Sequence, residues 1–134
     1  MDTGEDLGKL LLRLLVGGLL ILHGIHKIQA GPAAIEVLVF HHGLPPDVAY
    51  GVYLGEVLGP VLMILGLFAR VGGLLALANM IIAVWLTRAG AVWALNAQGG
   101  WVIELEAFYG LGGLAVALLG AGRYALGRPH TWLN

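Results

Sequence analysis

The chain has 134 residues, 59% of them hydrophobic and only 11% charged, with a formal net charge of -1. A soluble domain carries about 25% charged residues, and the mean hydropathy here is +0.88, so the composition points to one small integral membrane domain over residues 1–134. There is no length left for a soluble catalytic domain, no basic excess to recruit nucleic acid, and no cysteine for disulfide, thiol redox or thiolate metal chemistry.

The amino-terminal residues Asp2, Glu5 and Asp6 are acidic. A secretory leader needs a basic start and a small-residue cleavage site, so the first apolar segment is expected to be retained. Four segments approach the roughly 20 residues that a spanning helix requires. They cover about 10–28, 48–68, 71–86 and 101–119. Lipid cannot satisfy backbone polar groups, so the spans must be helices rather than open strands. The expected fold is all-α, an integral membrane antiparallel four-helix bundle. Gly51, Gly55 and Gly59 form a small-residue stripe on the second segment, suited to close helix packing. Asn79 shares a similar stripe with Gly72, Ala76 and Ala83 on the third.

The connection at Ala69–Arg70 is tight, which makes segments two and three antiparallel neighbours. The loop 31–46 holds a short apolar run at 35–40, too short to span, suited to an interfacial helix or a cap. The loop 89–100 contains Trp93 and leads to Trp101, and indoles favour the headgroup level. Lys9, Arg13, Arg70, Arg123 and Arg128 lie towards one side, and only Lys27 and Arg88 towards the other. The positive-inside rule then places both termini in the cytoplasm.

Arg13, His23, Lys27, Glu56 and Glu104 fall inside the apolar segments. An ionised group in hydrocarbon costs at least roughly 2.5–3.5 kcal/mol, so such residues face the bundle interior and carry function or hold helices together. At about 100° per residue, Arg13, Gly17, Gly24 and Lys27 share one stripe, with His23 one step around. His26 is angled away from His23. By depth, His23, His26, Lys27, Glu56 and Glu104 all come to the outer half, which predicts an outward-opening polar pocket. Arg13 lies deeper, at its floor or at the interface. Pro60 has no N–H to return to the Glu56 carbonyl, which predicts a kink beside that carboxylate. Glu104 and Glu106 point to nearly opposite sides; Glu104 is expected inward, with Glu106 free to snorkel, face a partner chain or meet Arg88.

His23 and His26 with the two glutamates offer ligand types for zinc, copper or iron, but the Glu-x-x-His repeat of carboxylate-bridged bundles is absent and Lys27 adds positive charge. His41-His42 reads as a solvated turn. No metal site is assigned. Neither a nucleophile–base–acid set nor a phosphate-binding loop is visible.

The chain resembles the DoxX family of small four-helix bacterial membrane proteins. The resemblance lies in Leu12-Arg13-Leu14, His23-Gly24 with Lys27, Gly43-Leu44-Pro45, and Gly55-Glu56-Val57-Leu58-Gly59. It continues in Gly66-Leu67-Phe68-Ala69-Arg70, Glu104, and Gly120-Ala121-Gly122-Arg123-Tyr124. Gly127 stands where the family tail often carries an aspartate, and His26 is outside the motif. The resemblance implies a multi-pass protein of the bacterial inner membrane, a subunit of a quinone-linked oxidase or oxidoreductase assembly. Quinone is then the implied cofactor, although the chain carries no cofactor motif. On this reading Glu56 and Glu104 accept protons, His23 donates or relays them, and Arg13, Lys27, His26 and Glu56 bind the quinone. Expected partners are membrane lipid and other subunits or further copies of the chain. A non-enzymatic anchoring or assembly subunit, and a small-solute or metal-ion carrier, remain the alternatives.

Overall fold

Helices account for most of the chain in a computed structural model that describes residues 2–128 and 131–134. The first helix, α1 (Thr3–Ala30), starts where the Asp2 side chain accepts the Gly4 N–H and ends at Gly31. A short helix, α2 (Ala33–His41), follows in the predicted loop. A tight 3-10 turn (Pro46–Gly51) leads through a π turn (Leu54–Leu58) into α3 (Gly59–Leu65). The chain reverses through Gly66 and Phe68, both left-handed, into α4 (Ala69–Arg88). After a loop containing one Leu95–Trp101 bridge, α5 (Glu104–Leu119) runs back. No strand occurs among the described residues.

Three stretches, Thr3–Ala30, Pro46–Leu65 and Ala69–Ala91, are long and apolar enough to cross a membrane. The fourth expected span is shorter. Predicted from about 101, α5 begins only at Glu104 and has 16 residues, about 24 Å at 1.5 Å per residue. The reason is local: Val102 donates its N–H to the Ala94 carbonyl, 3.0 Å away, so the residues before Glu104 are held in the loop.

α1 packs on α3 and α5, and α4 packs on α3 and α5. Between them lie Val16, Leu20, Met63, Ala76, Met80, Tyr109 and Val116, all buried. Large apolar side chains also cover the outside, including Leu11, Leu22, Leu74, Ile81, Leu111 and Leu118. Of the small-residue stripe, Gly55 and Gly59 do face α4, against Asn79 and Gly72, whereas Gly51 meets nothing. α2 packs against the 3-10 turn, and the His42 ring lies 4.9 Å from the Trp85 ring.

At the end carrying the chain termini, residues 120–128 and 131–134 lie over the helices. Leu126 and Gly127 donate to the carbonyls of Leu65 and Gly66, each at 3.0 Å. The Asn134 side chain accepts the Ala69 N–H at 3.0 Å, capping α4. Arg70 donates to the Ala117 and Leu118 carbonyls at the end of α5, at 2.6 and 2.8 Å. A cation there also suits the negative end of the helix dipole.

Candidate functional site

An ion pair with a buried carboxylate joins α1 to the π turn. The Lys27 ammonium donates to the Glu56 carboxylate. Glu56 is 3% exposed, while the Lys27 side chain keeps 33% of its surface open. The backbone around them explains the arrangement. Pro60 cannot donate to the Glu56 carbonyl, and the turn widens so that Gly59 donates its N–H to the carbonyl of Leu54, five residues back. The predicted kink at Pro60 is thus a π turn. The Glu56 carbonyl oxygen lies against Gly24, where a side chain would overlap it. Lys27 sits one turn above Gly24 on the same stripe, which carries its ammonium to the carboxylate. The Tyr53 hydroxyl adds a 3.3 Å hydrogen bond to the Lys27 carbonyl.

The other expected members do not join this pair. Glu104 is exposed, and its carboxylate lies against Gly100 rather than inside. As the first residue of α5 it belongs to the helix mouth, where negative charge is favourable. The inward expectation for Glu104 is therefore corrected. Glu106 instead pairs with Arg88, as one of its expected alternatives had it. His23 is exposed, with its ring edge-on to Tyr109 at 5.5 Å. It is one helical step from Gly24, enough to turn it from the π turn towards α5. His26 is exposed too, half a turn from the packed stripe. Among the described residues, no three histidine or carboxylate side chains converge as a metal would require.

Arg13 lies at the other end of α1, 14 residues from Lys27, about 21 Å along the axis. It is 1% exposed. Nη1 donates to the Met63 carbonyl at 3.1 Å, and Nη2 donates to the Tyr124 carbonyl. Its place is thus beneath the tail, away from the Lys27–Glu56 pair. Nearby, Asp6 is completely buried and accepts the Arg123 N–H at 3.1 Å. Sequence reasoning missed both Asp6 and Asn134. Neither lies in an apolar stripe, and no periodic signal announces a tail that folds back.

A cavity does exist, but elsewhere. A groove of about 290 Å³ runs between α4 and α5, lined by apolar side chains and by Glu106.

The family model described as DoxX matches residues 8–89, which hold most of α1, all of α2 to α4, and Arg13, Lys27 and Glu56. The chain belongs to the DoxX family. A Bacillus subtilis (strain 168) protein named "Putative oxidoreductase CatD" is 29% identical over 109 residues, covering 81% of each chain. No solved structure matches. DoxX membership and three apolar helices point to a membrane location for this DoxX protein, and the relative's name to a redox association.

Proposed function

We propose that this chain is an integral membrane subunit of a quinone-linked oxidoreductase system. It folds as an antiparallel four-helix bundle in the bacterial inner membrane, with both termini cytoplasmic. The apolar outer faces, the basic bias of the terminal end and the relative's name support this reading.

The observation that carries it is the Lys27–Glu56 pair. A quinone head group needs donors for its carbonyl oxygens and, once reduced, acceptors for its hydroxyl protons. A carboxylate 3% exposed beside an ammonium a third open offers one of each at a single site. Quinone, as substrate, supplies the two-electron chemistry. Glu56 takes or returns a proton, and Lys27 pairs with it and faces the incoming carbonyl. His23 turns to Tyr109, and His26 and Glu104 are exposed apart from the pair, so none of the three takes a step there. Arg13 keeps its donors on the backbone and serves the fold.

The test is electron transfer to a quinone analogue, with the native electron donor, in membranes with and without this chain. Loss of quinone reduction on deleting the chain, restored by its return, supports the proposal. Unchanged reduction, with no quinone extracted from the pure protein, refutes it.

A second reading, an anchoring or assembly subunit, draws on Arg13 and Arg70, whose guanidinium groups bind helix-end and tail carbonyls. In that case intact complexes in mild detergent fall apart without the chain, while the isolated partner still reduces quinone.

A further inference from the structure

On α4 the groove residues Leu77, Ile81 and Val84 share one stripe, and Arg88 continues it four residues on. On α5, Gly110, Ala107 and Glu106 climb the facing wall. From Leu77 to Arg88 the helix rises about 16 Å, close to half of a roughly 30 Å hydrocarbon core. The groove lining on α4, Leu77 to Val84, covers about 10 Å of that rise, and Arg88 stands one turn beyond it. The only charged lining residue of the groove, Glu106, stands beside Arg88 at the outer end, with the two side chains 16% and 41% exposed. Only Nη1 of Arg88 is engaged there, and a guanidinium has five N–H donors. A positive and a negative group thus stand together at the mouth of an apolar slot. The volume of about 290 Å³ admits a hydrocarbon chain; it excludes a helix, whose diameter is about 10 Å.

We propose that this groove seats one acyl chain of a zwitterionic phospholipid of the outer leaflet, its phosphate on Arg88 and its ammonium on Glu106. The inference rests on the membrane-spanning reading but not on the quinone. A purely anionic headgroup meets repulsion from Glu106, and a neutral one offers no charge to the remaining N–H donors of Arg88. Trp101 lines the same groove and reports on its occupant.

The experiment uses the full chain with Trp85→Phe, Trp93→Phe and Trp132→Phe, which leaves Trp101 as the sole indole. It is reconstituted in phosphatidylglycerol vesicles containing a minor fraction of chain-brominated phosphatidylethanolamine. The reverse mixture carries the bromine on phosphatidylglycerol. The expected result is quenching several-fold stronger by the brominated phosphatidylethanolamine at equal mole fraction. Ala107→Phe, which fills the slot, and Glu106→Gln, which leaves it open, both remove that preference in protein that still melts cooperatively. Equal quenching by the two lipids overturns the proposal, as does a preference that survives both variants. Extraction of a stoichiometric prenyl quinone in place of phospholipid overturns the occupant and leaves the redox reading standing. Protein that never enters the vesicle bilayer overturns the membrane reading itself.

Discussion

Gly24 on α1 lies directly on the backbone carbonyl of Glu56, the carbonyl to which Pro60 has no N–H to donate. This close approach is what brings Lys27, three residues on, to the Glu56 carboxylate. Gly24→Ala puts a methyl group where the carbonyl oxygen already is, and forcing extra atoms into a packed contact costs about 1–3 kcal/mol. The thermal midpoint in detergent should fall. Gly18→Ala is the control, because a side chain there meets nothing within 4 Å, and it should leave the midpoint unchanged or slightly raised. Equal effects of the two substitutions would count against this helix contact.

The two halves of the ion pair are not equivalent. Lys27→Met strands a buried carboxylate, whereas Glu56→Gln leaves an ammonium that still reaches water. Stranding a fully buried charge costs about 3–5 kcal/mol, and the opening on the Lys27 side reduces this through solvent screening. Lys27→Met should therefore lower the midpoint more than Glu56→Gln, and the double substitution should recover part of the loss. Additive effects in that cycle would mean that the pair contributes no coupling.

Arg13 holds two carbonyls from distant parts of the chain. Arg13→Met leaves both without that donor, at about 1–3 kcal/mol for each buried group left unsatisfied. The tail should loosen, so limited trypsin digestion should cut faster after Arg123. Quinone-dependent activity, if measured, should fall only as far as the folded fraction falls. A loss of activity in fully folded Arg13→Met protein would return Arg13 to the substrate site.

The spans of α1, α3 and α4 are legible in the sequence because length and hydropathy set them. The Lys27–Glu56 pair is legible as well, since Gly24 and Lys27 share a stripe and Pro60 marks the distortion. Glu104 is not, because its direction depends on where α5 begins, and a loop hydrogen bond from Val102 to Ala94 decides that. Helix arithmetic also places His23 and His26 within reach of the pair, yet one step of rotation turns His23 to Tyr109. Asp6 and Asn134 lie outside the apolar segments and carry no signal of burial in the sequence. Their burial comes from contacts across more than 60 residues of chain, Asp6 with Arg123 and Asn134 with Ala69, which no local pattern encodes.

The central claim is that Glu56 moves protons and does more than pin two helices together. The most direct measurement compares quinone-dependent turnover of the assembled complex with the thermal midpoint of the same preparation, for wild type and Glu56→Gln. A neutral amide keeps the shape and can still accept from Lys27, but it cannot take up a proton. The account predicts turnover reduced by roughly 10²-fold or more, the scale of a lost general acid–base group, in protein that remains folded at the assay temperature. Turnover that stays at the wild-type level, or that declines only in step with the folded fraction, would contradict it.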